Sequence, residues 1–163
     1  MLITLFRHAT AEDRSPDIAD AERALIKKGE NQVLRVAAFC KNNNLKPESL
    51  YCSPLRRARQ TAELLQDALP GCPPAETANW LNTNTSPQTM LAELERLNKK
   101  GDTDIWLVGH EPDFSDFVAW VIKTPKTCID IKKASLTRLN LEFSDPISAE
   151  LLWSIPCALM PAK

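Results

Sequence analysis

The chain has 163 residues, 20 basic against 21 acidic, a net charge of -1 and a 44% hydrophobic composition. A chain of that length can bury roughly 70% of the surface its unfolded form exposes, and one domain over residues 1–163 is expected. The balanced charge gives no reason to expect nucleic acid or a membrane as partner, no apolar stretch approaches the ~18 residues of a membrane span, and five Cys without a C-x-x-C pair read as reduced thiols in a cytoplasmic protein.

Leu2 to Phe6 is a short continuous apolar run, the pattern of a strand buried on both faces, and it delivers Arg7 and His8 side by side into a polar stretch. Val33, Val36, Ala37 and Cys40 recur at helical spacing and predict a helix from about Lys28 to Asn42. "SLYCS" reads as the next strand, and Ser53-Pro54 as a helix start, with Ser53 as N-cap. Leu55, Ala58, Ala62, Leu65 and Leu69 mark the buried face of that helix, and Arg56 and Arg57 fall in its first turn. Ser86-Pro87 repeats the start signal for a helix carrying Met90, Leu91, Leu94 and Leu97, with Gly101 as the stop. "DIWLV" is a strand that runs into Gly109 and His110, and Phe114, Phe117, Val118 and Val121 mark a further helix, closed near Pro125. Leu139, Leu141 and Phe143 then alternate with Arg138, Asn140 and Glu142, and "SDPIS" turns the chain into "AELLWSI". The expectation is a three-layer α/β/α fold, its mostly parallel sheet extended by a C-terminal antiparallel hairpin.

In such a sheet the loops after the strands' carboxyl ends share one edge, where these folds bind ligands. Arg7 and His8, then Arg56 and Arg57, then His110 follow three such strands, and His8 and His110 are the only histidines of the chain. Each motif alone is the common picture of a satisfied loop histidine or a solvated Arg face; their joint position on one edge points to a site. The cluster is cationic, with no obvious carboxylate to neutralise it, and planar guanidinium forks suit phosphate. Two His without matching Cys or acidic spacing do not make a zinc site, so no metal is expected.

The segments "LFRHATA", "CSPLRRARQTAELL" and "LVGHEP", in that order, resemble the histidine phosphatase superfamily. The length, the Ser-Pro-x-x-Arg-Ala-x-Gln-Thr segment and the Gly-His-x-Pro segment are similar to its small SixA-type phosphohistidine phosphatase branch, over Leu2 to about Val121. The resemblance implies a phosphoglycerate mutase-like fold and a phosphatase of signal transduction. That enzyme would work through a phosphohistidine intermediate, without cofactor and as a monomer. A phosphohistidine-bearing protein is the implied substrate; small phosphate monoesters, or an idle module that only binds phosphorylated partners, are the alternatives. His8 then matches the nucleophile, Arg7 and Arg57 (rather than Arg56) the phosphate-binding arginines, and His110 the second pocket histidine, expected to be protonated. Arg23 matches the branch's Arg-x-Leu-x-x-x-Gly stretch, either as a further phosphate ligand or as a surface residue, and Ser53 falls where the family can touch phosphate.

The residue chemistry fits this independently. A neutral imidazole is a good nucleophile toward phosphorus when its other nitrogen is held by a hydrogen bond, here expected from a backbone carbonyl, and preorganised cations stabilise the phosphoryl charge. Two departures stand out. Ala9 replaces the motif's Gly, and "ANWLNTNTSP", where a general acid would be sought, contains none. Glu111 is the nearest candidate carboxylate, as leaving-group acid, as water-orienting group, or as a cap for the helix after Pro112.

Overall fold

The structure, a computed structural model, describes residues 1–161. The apolar runs form strands β1 (Leu2–Arg7), β2 (Ser49–Cys52), β3 (Ala75–Thr77), β4 (Asp104–Gly109), β5 (Leu136–Glu142) and β6 (Ser148–Ile155). The periodic segments form helices α1 (Lys27–Asn42), α2 (Arg56–Ala68), α3 (Pro87–Lys100) and α4 (Asp113–Val121). The strands make one sheet in the order β3-β2-β4-β1-β5-β6. The first four run parallel, β5 is antiparallel to β1, and β6 completes the expected hairpin.

Period-two alternation in β1 divides its side chains between two cores. Ile3 and Leu5, with Ile105 and Leu107 of β4, meet Met90, Leu94 and Leu97 of α3 and Phe114, Phe117 and Val118 of α4. Phe6, with Trp106 and Val108 of β4, meets Val33, Val36 and Cys40 of α1 and Ala58, Ala62 and Leu65 of α2. The central strands are therefore apolar on both faces, as a sheet covered by helices on each side requires. Truncating a fully buried member such as Leu94 to Ala would cost roughly 2–5 kcal/mol.

The local start and stop signals hold at α3, where Ser86 Oγ accepts the Thr89 amide at 3.1 Å, Pro87 opens the helix, and Gly101 closes it in the left-handed conformation at φ 101°. They fail at α2. The helix begins at Arg56 behind Leu55, without a side-chain cap, so Ser53 is not its N-cap and its hydroxyl is engaged elsewhere. Helix α4 ends at Val121, ahead of Pro125. The short edge strand β3 lies in a segment with no strand signal, and two of its three residues are exposed. Arg138, expected among the polar alternates, is instead buried against Thr4 Oγ1 at 2.8 Å and Asp104 Oδ2 at 2.6 Å. It neutralises a carboxylate at the end of the sheet opposite the loops described next.

Candidate active site

Strand register brings the two histidines together. Arg7 pairs with Gly109 across β1 and β4, and the His8 amide donates to the Gly109 carbonyl at 3.0 Å. The next residue on each strand is a histidine, so His8 and His110 emerge as neighbours, their ring centroids 5.1 Å apart and tilted by 57°. Gly109 is needed here, because a β-carbon on it would stand 2.6 Å from Cζ of Phe114, which packs under the loop. Strand β2 joins the same edge: Cys52 pairs with Val108, the Ser53 amide donates to the Val108 carbonyl at 2.9 Å, and Ser53 Oγ lies 2.7 Å from Nε2 of His110.

In the first turn of α2, Arg57 is 3% exposed and aims its Nε at Nε2 of His8, 3.3 Å away. Thr61, on the same helix face, accepts the Ala9 amide at 3.2 Å and donates to the Arg57 carbonyl at 2.7 Å, which pins the loop after His8 to the helix. On the other side Arg7 donates to the Ile131 carbonyl at 2.7 Å, and its buried Nε has no partner. Ala134, at φ 56°, directs its amide to the carbonyls of Arg7 and His8 and closes that side of the loop. Arg56 lies outside the cluster, exposed, with one weak contact to the Glu22 carbonyl at 3.4 Å.

The loop between β1 and α1 folds back over this edge. Thr10 binds Gln32 Oε1 through both its amide and its hydroxyl, and its carbonyl accepts the Ile26 amide at 3.1 Å. Helix α1 approaches so closely that a β-carbon at Gly29 would overlap the Thr10 carbonyl oxygen, which gives the glycine of the Arg-x-Leu-x-x-x-Gly stretch its physical reason. The turn at Asp20 then meets Arg57: the Asp20 carbonyl accepts Nη1 at 2.7 Å and its carboxylate accepts Nη2 at 3.2 Å. The same carboxylate accepts from Arg23 Nε at 3.0 Å and pairs with Arg14 at 3.4 Å. The cluster thus contains a carboxylate that the sequence reading did not supply. Arg23 stands behind Asp20, its Nη1 on the Glu12 carbonyl at 2.6 Å, with no contact to either histidine. The Asp20-x-x-Arg23 spacing is the one sequence signal that could have disclosed the pair.

Burial sets the protonation states. Desolvation, partly offset by the Ala9 hydrogen bond, and then the charges of its neighbours push His8 down to about 3. Its Nδ1 lies 2.8 Å from the Ala9 carbonyl, so Nδ1 carries the proton and Nε2 keeps its lone pair. His110, 2% exposed, is pushed down to about 4 by burial and then by Arg57. It is therefore neutral in the free protein, because burial beside arginines makes a further positive charge costly, whereas the expected cation concerns the phosphate-bound state. Arg7 and Arg57 are also held below their ordinary value by burial, yet a guanidinium remains charged at neutral pH.

Glu111 and Asp113 flank the site at the start of α4. Glu111 Oε1 accepts the Ser115 amide at 3.0 Å, the capping contact weighed from the sequence, and burial raises its carboxyl. Asp113, buried and likewise raised, accepts the Thr85 amide at 3.2 Å and so ties the acid-free segment onto α4. Ala9 takes a negative φ, so the Gly-to-Ala departure removes no conformation the loop uses.

Three comparisons bear on this geometry. The family model described as the histidine phosphatase superfamily, branch 1, matches residues 3–95. An uncharacterized protein of Picosynechococcus sp. is 38% identical over 142 residues, covering 86% of this chain and 85% of its own. Among solved structures, the protein histidine phosphatase SixA complexed with tungstate superposes with a TM-score of 0.86 at 22% identity, over 97% of this chain and 98% of its own. A mycobacterial glucosyl-3-phosphoglycerate phosphatase holding inorganic phosphate superposes with a TM-score of 0.76 at 16% identity, over 97% and 99%.

Proposed function

The chain belongs to the histidine phosphatase superfamily, and on that premise we propose that it removes phosphate from phosphohistidine on a partner protein, in the manner of the SixA-type branch, through a covalent intermediate on Nε2 of His8. One observation carries the mechanism. The Nδ1 proton of His8 is committed to the Ala9 carbonyl, which leaves Nε2 with its lone pair facing Arg57 Nε at 3.3 Å, beside the second histidine's ring.

In the first step Nε2 of His8 attacks phosphorus, the bond from phosphorus to the substrate imidazole breaks, and that imidazole takes a proton from solvent. In the second, water attacks the phosphoryl group on Nε2, phosphate leaves, a proton passes to solvent, and the lone pair returns to His8. Arg7, Arg57 and His110 act as preorganised donors to the phosphoryl oxygens in both steps, worth on the order of 3 kcal/mol each. The charge comes from guanidinium groups, so neither step calls for a metal.

Leaving-group chemistry supports this substrate class. An alkoxide needs a proton during P–O cleavage, whereas an imidazole leaves with a conjugate acid near ~6.5. The carboxylates around the site are already engaged: Asp20 with arginines, Glu111 with Ser115, Asp113 with Thr85. The structural likeness to SixA supports this reading. A second reading, hydrolysis of small phosphate monoesters, is favoured by the like fold of the glucosyl-3-phosphoglycerate phosphatase and by the raised carboxyl of Glu111, which would serve as leaving-group acid.

The experiment compares kcat/KM on phosphohistidine-bearing carrier proteins with that on phosphate esters of graded leaving-group pKa. We expect turnover of the phosphohistidine protein and a steep fall with rising leaving-group pKa. A flat dependence that is lost in Glu111→Gln would establish the monoester reading, and phosphoprotein binding without turnover of any substrate would leave only a binding module.

A further inference from the structure

We propose that Ser53 is a positioning residue that fixes the tautomer of His110, so that the imidazole, while neutral, presents an N–H at Nδ1 to the phosphoryl group. For a neutral ring the location of the proton follows from the hydrogen-bond inventory; its use rests on the phosphatase reading.

A serine hydroxyl has one proton to give and two lone pairs to fill. Ser53 Oγ takes the Leu55 amide proton at 3.3 Å on one lone pair, and its other partner is Nε2 of His110 at 2.7 Å. Ser53 is fully buried. Were Nε2 to carry a proton, it would donate to the second lone pair and the hydroxyl proton would be stranded in the interior, at roughly 1–3 kcal/mol. With the hydroxyl donating to Nε2, both ends of the contact are satisfied. The ring proton of a neutral His110 must then sit on Nδ1, and Nδ1 is buried without a partner.

The inventory thus leaves one unpaired polar group instead of two, the N–H of the ring that stands 5.1 Å from the nucleophilic histidine. A buried donor without a partner is costly unless a ligand completes it, and a phosphoryl oxygen is an acceptor of the right kind. Nε of Arg7, the residue before His8, is a second buried donor without a partner. The arrangement also explains how His110 works without charge: burial keeps it neutral, and the serine ensures that the neutral form still donates toward substrate. Strand register supplies the placement, because the Ser53 amide is held on the Val108 carbonyl two residues before His110.

The chain's two histidines make a direct test practical. In a His8→Gln protein labelled with 15N, His110 is the only imidazole, and two-bond proton–nitrogen correlations in phosphate-free buffer near neutral pH report which nitrogen is protonated. We expect protonated Nδ1 and bare Nε2. With Ser53→Ala added, the pattern should move to a mixture or to protonated Nε2, and Ser53→Thr should restore it. In the otherwise wild-type enzyme, Ser53→Ala should lower kcat on the order of tenfold while KM moves little, by analogy with other hydrogen-bond partners that orient a functional imidazole, and Ser53→Thr should recover most of it. Protonated Nε2 with Ser53 in place, or a protonated Nδ1 that survives Ser53→Ala, overturns the proposal. If the tautomer is as expected and no phosphate compound is hydrolysed, the phosphatase reading fails and the assignment of the proton stands.

Discussion

Burying two neutral histidines has a consequence for stability that acid should expose. Folded His8 and His110 titrate near 3 and 4, far below the ~6.5 of an unfolded imidazole. Between those values the unfolded chain binds protons that the folded one refuses, so stability falls as pH drops below about 6.5 and the loss is complete only below the folded values. At about pH 5 both rings are still neutral in the fold, while in the unfolded chain each lies about 1.5 units below its pKa. At about 1.4 kcal/mol per unit, each ring costs about 2 kcal/mol relative to about pH 7.5, and the pair about 4 kcal/mol. Carboxyl groups are shifted as well, Glu111 and Asp113 raised by burial and Asp20 lowered beside its arginines. The clean comparison is therefore with a His8→Gln, His110→Gln protein that keeps them. Urea unfolding at both pH values, in phosphate-free buffer, should show the wild type losing about 4 kcal/mol more than the variant. Equal losses in the two proteins would mean that the rings bind protons as readily in the fold as in the unfolded chain, and the account of burial holding both histidines far below their ordinary value would have to be abandoned.

The arginines separate by contact. Arg7→Ala, Arg57→Ala and His110→Ala should each lower turnover on the order of 10²-fold or more, whereas Arg56→Ala, whose exposed side chain makes a weak hydrogen bond to the Glu22 carbonyl, should cost little; a dispensable Arg57 would refute the assignment. Gly29→Ala should destabilise the protein by more than ~1 kcal/mol and lower activity through the displaced His8 loop, because the new β-carbon meets backbone rather than a side chain that can turn away; an unshifted thermal midpoint would show that α1 can retreat. A chelator should leave turnover unchanged, since among the described residues no three His, Cys, Asp or Glu stand together as metal ligands; inhibition would call for a metal-bound form.

How much of this was legible in the sequence depended on whether the cause was local. The apolar runs at Leu2–Phe6 and "DIWLV" and the Ser86-Pro87 start are local signals, and they placed β1, β4 and α3 correctly. The convergence of Arg7, His8, Arg57 and His110 was also foreseeable, because parallel topology alone brings those loops to one edge. Ser53 reads as an N-cap because Ser-Pro is a helix-start signal wherever it occurs, and only the register of β2 on β4 shows the hydroxyl turned to His110 instead. Asp20 sits in an aperiodic polar loop and acquires its role by folding back 37 residues onto Arg57. The neutral state of His110 was out of reach for a related reason: an exposed histidine among arginines and a buried one look alike in sequence, and desolvation decides between them.

The central claim is the covalent phosphate on His8, and trapping it is the most direct measurement. Enzyme mixed with a phosphohistidine protein or an aryl phosphate carrying labelled phosphate, quenched rapidly without acid and digested for mass spectrometry, should carry the label on His8 alone. The label should be lost in acid, kept in base, and absent from His8→Ala, which should be inactive. Label on any other residue, or a His8→Ala protein that still turns over substrate, would contradict the mechanism.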